Sequence, residues 1–221
     1  MRGPDPASEE LGLVFSALGL APSAAQTSAL LCYLELLLHW NKTYNLTAVR
    51  ERGAMVTQHL ADCLAVIPAL RGQGSGKRVL DVGSGGGLPG AVIAIMRPDL
   101  DVSCVDAVGK KMAFVRHAAG ALPLANLRAC HSRVEALRAP PFHIITSRAF
   151  ASLRQFVELT QQVLAPGGVW MAMKGRAPEA EIAELPPVVE VFHVEPLRVP
   201  GLEAERCLVW MRPRPAAAEP A

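Results

Sequence analysis

The stretch Val79-Leu80-Asp81-Val82-Gly83-Ser84-Gly85-Gly86-Gly87-Leu88-Pro89-Gly90 constrains this chain more than any other. An apolar run carries an acid, glycines follow at alternating positions, and a helical run, Ala91 to Met96, begins at once. That order predicts a strand, a tight turn and a helix whose positive N-terminus faces the turn. With no side chains in the way, a ligand can approach the backbone of such a turn directly. The same rhythm continues downstream. Strand-like segments fall at Val102 to Val105, Leu127 to Cys130, Phe142 to Thr146, Val169 to Met173, Val188 to Val194 and Cys207 to Met211. Helical patterns at Lys110 to Ala121 and Ser152 to Leu164 separate several of them. Strands alternating with helices imply βαβ units and a largely parallel sheet. The last two strands lack a helix between them, which predicts an antiparallel, hairpin-like edge.

The segment before the glycine turn is helical. Ser23-x-x-Gln26 has the form of a capping box, and Leu30, Leu31, Leu34, Leu37 and Leu38 follow with spacings of three and four up to Trp40. A second helical stretch, Ala54 to Leu70, follows the polar turn around Tyr44-Asn45-Leu46-Thr47, and Gly72 to Gly76 reads as a linker. The expected organisation is a helical cap over residues 1–75, a Rossmann-like core over 76–212 and a loose Pro/Ala-rich tail over 213–221, in one compact unit. Residues 1–10, with two prolines, read as frayed.

Composition narrows the function classes. Hydrophobic residues make up 51% of the 221, which excludes a disordered chain. The five cysteines have no CxxC and no regular spacing, so neither a disulfide framework nor a metal site is expected. Cys32, Cys104 and Cys207 sit among apolar neighbours and read as small core residues. No apolar run is long enough to span a bilayer, and the expected location is cytoplasmic. The net charge is only +2, yet residues 105–138 carry six cations, Lys110, Lys111, Arg116, Arg128, Arg133 and Arg138, against Asp106 and Glu135. Residues 176–221 carry five cations against eight carboxylates. The basic segment, joined by Lys42, Arg50 and Lys174, holds the best candidates for phosphate contacts on a nucleic acid, with Lys110, Lys111, Arg133 and Lys174 foremost.

Gly85-x-Gly87-x-x-Gly90 satisfies a dinucleotide fingerprint, and Asp106 follows Gly87 by nineteen residues at the end of the second strand. There a carboxylate can accept both hydroxyls of a ribose, so an adenosine-containing cofactor is expected. Asp81 tilts the choice toward S-adenosylmethionine, because its charge suits the amino-acid end of that cofactor and would gain nothing from a pyrophosphate. The long segment ahead of the turn points the same way. The residues after the fourth strand narrow the acceptor. Methylases of exocyclic amines carry Asn/Asp-Pro-Pro-aromatic there, whereas this chain reads Thr146-Ser147-Arg148-Ala149-Phe150 and has Pro140-Pro141-Phe142 on the wrong side of the strand. No cysteine stands where a pyrimidine C5 nucleophile would. Acceptors with a free lone pair or a weakly acidic proton remain.

The chain resembles the bacterial 16S ribosomal RNA small-subunit methyltransferase G family, also called the glucose-inhibited division protein B family. The resemblance runs from about Leu30 to Met211. It rests on Trp40-Asn41-Lys42-x-Tyr44-Asn45-Leu46-Thr47, His59-x-x-Asp62, the glycine turn, Arg97-Pro98, Asp106-x-x-Gly109-Lys110-Lys111, Ser132-Arg133-Val134-Glu135, Ser147-Arg148-Ala149-Phe150-Ala151 and Lys174-Gly175. Cys63 stands where the family usually has serine, and Cys207 where histidine often follows Glu205-Arg206. The resemblance implies an α/β, Rossmann-like class I S-adenosylmethionine-dependent methyltransferase sheet with an N-terminal helical cap. It implies methyl transfer to N7 of one guanine in 16S rRNA, with rRNA or the small ribosomal subunit as partner. A monomer is expected because the helical patterns leave no apolar face over once the core is filled. Cofactor contacts are implied at Gly83, Leu88, Val134, Glu135 and Arg148, beside the Gly85 and Asp106 of the turn and second strand. Guanine N7 has no proton to lose, so no catalytic acid or base is expected. His59 and Asp62, three apart on a helix, read as a hydrogen-bonded brace and not as metal ligands. The competing readings are a nicotinamide-dependent oxidoreductase using the same turn, a small-molecule methyltransferase, and a non-catalytic rRNA-binding assembly factor.

Overall fold

The computed structural model describes residues 5–150 and 152–215. Its frame is a seven-stranded sheet in the order β3-β2-β1-β4-β5-β7-β6, built from β1 (Arg78–Val82), β2 (Asp101–Asp106), β3 (Leu127–His131), β4 (Phe142–Ser147), β5 (Leu164–Lys174), β6 (Val189–Leu197) and β7 (Arg206–Pro213). The first five strands pair in parallel, and β7 pairs antiparallel with both β5 and β6. The expected antiparallel edge is therefore present, with the last strand inserted between its two neighbours. Strand order reverses between β1 and β4, the position at which open α/β sheets leave a crevice at the carboxyl ends of their strands.

The period-two alternation of each strand divides the sheet into unequal faces. Val79, Val102, Ile144, Met171, Met173, Leu208 and Trp210 point to one side, Leu80, Val82, Val105, Ile145, Trp170, Val209 and Met211 to the other. The first side carries five helices: α1 (Pro6–Ala17), α2 (Ala24–Tyr44), α3 (Arg52–Leu70), α4 (Gly90–Met96) and α5 (Gly109–Ala121). The second is covered by α6 (Leu153–Thr160), whose Leu153, Phe156 and Val157 are buried against it, and the short α7 (Glu179–Ala183) packs beside α6. One continuous apolar cluster runs from Leu11 of α1 to Trp210 of β7, so the N-terminal helices share their core with the sheet.

Local signals explain the helix ends. Ser23 caps α2 through the Gln26 amide N–H at 3.2 Å, and the Gln26 side chain accepts from Ser23 N at 2.9 Å. The same Gln26 donates to the carbonyls of Ile95 and Met96, so a single residue closes one end of α2 and one end of α4. Asn45, at φ 48°, ends α2 in the left-handed region that asparagine tolerates. α3 is irregular: an α-turn over Arg52–Met55 passes into a π-turn over Val56–Ala61 and returns to α at Asp62–Leu64. It is long and apolar enough to cross a membrane, but 67% of its most apolar window is buried inside this fold.

Three expectations are corrected. Residues 5–10 are not frayed: Asp5 caps α1, Pro6 occupies the first helical turn, where its missing N–H costs nothing, and Ala7 is buried. Residues 1–4 lie outside the described residues. The expected tail is partly structured, since Pro213 closes β7 and Arg214 N donates to Val188 O at 2.7 Å, while residues 216–221 lie outside the described residues. Cys32 is exposed on the outer side of α2, whereas Cys104 and Cys207 are buried as expected. The apolar neighbours of Cys32 in sequence point to the core because they sit one or two positions around the helix from it.

Candidate active site

Two adjoining clefts open at the carboxyl ends of the strands, on either side of the chain that leaves β4. The first, about 230 Å³, is lined by Gly83, Asp106, Arg133, Val134, Glu135 and Phe150, together with Val82, Val105, Ala107, Ser132 and Leu159. It brings together four residues expected at a cofactor site, Gly83, Asp106, Val134 and Glu135, and one expected at RNA, Arg133. Gly83 and Gly85 adopt φ of 64° and 58°, which an L side chain would resist, and this folds the turn back over β2. Asp106 is 8% exposed and its two oxygens are oriented by the backbone: Oδ2 accepts from Gly85 N at 3.0 Å and Oδ1 from Val108 N at 2.8 Å. Each oxygen keeps a lone pair for a further donor, so the carboxylate fits a ribose diol. Lys111 Nζ lies 3.6 Å from Asp106 Oδ2, which ties that cation to the first cleft. Lys110, one residue earlier at the start of α5, is exposed.

Leu88 does not join the cleft lining. It is 5% exposed and packs in the core behind the turn. Asp81 also differs from expectation. It shares the alternation of Val79, so its side chain points under α4 and not along the open end of the strand. It is fully buried, and Oδ2 accepts from Gly90 N at 2.8 Å. Burial pushes its carboxyl up to about 7, against the downward pull of the Gly90 N–H. Asp81 is thus the internal brace of the glycine turn. Its Oδ1 and the nearby Ser84 Oγ are buried without a partner among the described residues, which leaves polar capacity directly beneath the turn.

The second cleft, about 410 Å³, is lined by Gln58, His59 and Asp62 of α3, Arg148 and Ala149 after β4, Met173, Lys174 and Gly175 at the end of β5, and Leu202 and Arg206 before and in β7. At its back Asp62, 3% exposed, takes Arg148 Nη1 on Oδ2 at 3.4 Å and Arg206 Nε on Oδ1 at 2.9 Å. Arg148 Nη1 also reaches His59 Nδ1 at 3.3 Å and Cys63 Sγ at 3.9 Å. His59 Nε2 meets Thr47 Oγ1 at 2.7 Å. Burial, with the Arg148 charge beside it, pulls His59 down to about 4, so the ring is neutral near pH 7. The His59–Asp62 pair therefore braces α3 against the ends of β4 and β7. Lys174, expected at RNA, is held instead by Glu181, with Nζ 2.8 Å from Oε2, and Glu181 also accepts from Leu153 N. Among the described residues no group of three His, Cys, Asp or Glu could hold a metal ion.

Sequence reasoning did not single out three contributors. Phe150 lines the first cleft and packs against Phe156, with ring centroids 5.6 Å apart and the planes tilted by 50°; it was visible only as part of a motif. Leu159 reaches the same cleft from α6, with nothing to mark it among other helical leucines. Arg206 meets Asp62 across 144 residues of chain, a separation that leaves no local signal.

Comparisons with known proteins identify the fold and the family. In sheet and helix arrangement the chain is similar to a SAM-dependent methyltransferase from Aquifex aeolicus, with a TM-score of 0.56 and 17% identity over 72% of this chain and 92% of that one. It is also similar to TrmN from Thermus thermophilus, with a TM-score of 0.55 and 19% identity over 72% of this chain and 53% of that one. At such identities these likenesses speak for the fold, which is Rossmann-like and of the class I methyltransferase type. In sequence it is 57% identical over 208 residues to the ribosomal RNA small subunit methyltransferase G of Acidovorax ebreus, covering 90% of this chain and 92% of that one. The relative of the same name from Leptothrix cholodnii is also 57% identical, over 91% of this chain and 94% of its own length. The family description "rRNA small subunit methyltransferase G" matches residues 26–209, and the chain belongs to that family.

Proposed function

We propose that this protein transfers a methyl group from S-adenosylmethionine to N7 of one guanine in the 16S rRNA of the small ribosomal subunit, acting as a cytoplasmic monomer. The relatives' names supply the substrate class, and the first cleft fits the cofactor: Asp106 toward the ribose, Val134 and Glu135 beside the adenine, Phe150 against its face. Gly83 and Gly85 leave the backbone of the turn open, whereas Arg148, expected at the cofactor, lines the second cleft and not the first. S-adenosylmethionine supplies an electrophilic methyl group on a sulfonium leaving group.

The observation that carries the N7 reading is the state of the second cleft. Its two candidate proton acceptors are already committed: Asp62 to two arginines, and His59, at about 4, to Thr47 and Arg148. An acceptor with an exposed lone pair and no proton to lose needs neither. The work of the protein is then alignment of acceptor atom, methyl carbon and sulfur, which contributes up to about 7–11 kcal/mol in favourable systems. The target base has to be unpaired or opened to enter, since duplex stacking hides it.

The test is transfer of tritium from methyl-labelled S-adenosylmethionine to 16S rRNA, or to small subunits, from cells lacking this activity. Aniline-type cleavage at 7-methylguanine should then cut the labelled RNA at one position. Labelled RNA that resists cleavage overturns the N7 assignment. Binding of S-adenosylmethionine but not NADH in calorimetry eliminates the nicotinamide-dependent oxidoreductase reading.

A further inference from the structure

The second cleft contains cationic capacity that the cofactor reading leaves unused. Arg206 commits Nε to Asp62 at 2.9 Å and Nη1 to Glu205 O at 2.9 Å, and its Nη2 has no protein partner among the described residues. Among the described residues Arg148 engages its neighbours through Nη1 alone, leaving Nε and Nη2. None of these remaining nitrogens is sealed from solvent without a partner, and both side chains line the cleft. The two guanidiniums arrive from separate strands, β4 and β7, and one buried carboxylate fixes both: Oδ2 of Asp62 holds Arg148 and Oδ1 holds Arg206. Asp62 is the only carboxylate lining the cleft among the described residues. Glu181 is occupied by Lys174, and Glu203 and Glu205 face a separate surface hollow. Planar donors held at fixed angles in a concave site match the oxygens of a phosphodiester. A guanine could not take the same fork on its O6 and N7 and still offer N7 for methylation.

We propose that Arg206 binds the backbone phosphate next to the target nucleotide, and that Asp62 is the positioning residue that aims Arg206, with Arg148, into the cleft. This inference rests on the reading of the protein as an rRNA methyltransferase and adds the point at which the substrate strand is held. Arg206 belongs to the acceptor side only. Asp62 touches neither cofactor nor RNA and acts through the arginines.

The experiment compares the wild-type chain with Arg206→Gln, Arg206→Lys and Asp62→Asn. Measured for each are cofactor affinity by calorimetry, methyl transfer to small-subunit RNA, and RNA binding between about 50 and 200 mM salt. Arg206→Gln is expected to keep cofactor affinity, to raise KM for RNA about tenfold with little change in kcat, and to make the log–log salt slope shallower by about 1. Arg206→Lys keeps the charge and the slope but loses the fork, so KM rises while the slope stays. It also serves if the glutamine variant does not fold. Asp62→Asn should raise KM with the slope intact. An unchanged salt slope in Arg206→Gln, or a weakened cofactor affinity, overturns the phosphate contact. An unchanged KM in Arg206→Lys removes the need for a fork, and an unchanged KM in Asp62→Asn removes the positioning role. Failure of the wild-type chain itself to label RNA would sink the underlying functional reading, and this inference with it.

Discussion

The two clefts lie side by side at the same end of one sheet and are built on different principles. The first cleft, proposed for the cofactor, is assembled mainly from successive strand ends: the turn after β1, the acid at the end of β2 and the turn after β3, each joined to the next through parallel strands in register. Its key polar group, Asp106, is oriented by backbone N–H groups. The acceptor side is assembled from residues 58–62, 148, 174 and 206, and its polar groups are oriented by one another. A backbone-oriented site needs only the fold to form. A side-chain network needs every member, because removing one leaves a buried charge without its partner. A change to one member of the network should therefore disturb the second cleft while leaving the first intact.

The sharpest way to break this contrast is Asp106→Ala. It removes the carboxylate that the ribose would share and releases the N–H groups of Gly85 and Val108. With about 1.5–3 kcal/mol for each hydrogen bond to a charged group, cofactor affinity should fall at least about 100-fold. RNA binding should change little if the two clefts are energetically separate. Calorimetry with S-adenosylmethionine and filter binding with rRNA read the two effects independently, and a parallel loss of both would merge the clefts into one site.

Next in size is an opposition in pH dependence. Asp81 beneath the turn titrates at about 7 in the folded chain, above its ordinary 3.8, because burial opposes its charge. The folded state then holds the extra proton, so its contribution to stability is present at low pH and is lost as pH rises from about 4 to about 7. His59 behind the acceptor cleft goes the other way. Its value of about 4, lowered from 6.5 by burial and by Arg148, means that the unfolded chain takes up the proton first. Stability is lost as pH falls from about 6.5 to about 4. Each limb should be worth on the order of 3 kcal/mol. Because both windows lie between about pH 4 and pH 7 with opposite slopes, the two effects largely offset each other in the wild type. In urea titrations at stepped pH, Asp81→Asn should leave a stability that rises with pH across that window and His59→Gln one that falls with it. If the two variants showed the same pH slope across that window, the assignment of opposite effects to the two regions would fail.

The same contrast decides what could be read from the sequence. The strand–turn–helix unit, Asp106 and the alternation of the parallel strands are local or nearly periodic, and each appears where its spacing places it. Asp81 was legible as a functional acid but not in its role. Its facing follows from sharing the parity of Val79 on the side that five helices cover, and the number of covering helices is a tertiary fact. Pro6 reads as a breaker until Asp5 is seen to cap the helix it begins. Lys174 reads as a free cation because Glu181, its partner, lies across a turn into α7. The Asp62–Arg206 contact, between α3 and the last strand, exists only once β7 has inserted beside β5.

A smaller effect tests how tightly the turn is seated. Gly90 is the first residue of α4, and on helix propensity alone Ala would be favoured by up to about 1 kcal/mol. The added Cβ would stand 2.5 Å from Cys104 Sγ and 3.0 Å from Asp81 Oδ2, both in the packed interior. Overpacking of that kind costs about 1–3 kcal/mol, so Gly90→Ala should be destabilising on balance. Because the displaced group is Asp81, the brace of the turn, cofactor affinity should fall with stability. A variant as stable as wild type would show that the turn has slack that these distances do not suggest.

The smallest change addresses the acceptor side. Cys63 is fully buried with Sγ 3.9 Å from Arg148 Nη1, and burial pushes its thiol well up, so it is a neutral neighbour of the network and no nucleophile. Cys63→Ser exchanges the thiol for a smaller hydroxyl that can accept a stronger hydrogen bond from the same guanidinium. The gain in that bond and the loss of apolar volume oppose each other at about 1 kcal/mol each. The expected outcome is a shift in the unfolding midpoint within the range of an ordinary surface substitution, with KM for RNA altered less than by Arg206→Gln. A large loss of RNA methylation with cofactor binding intact would mean that the sulfur sets the aim of Arg148. The network around Asp62 would then have a fourth member.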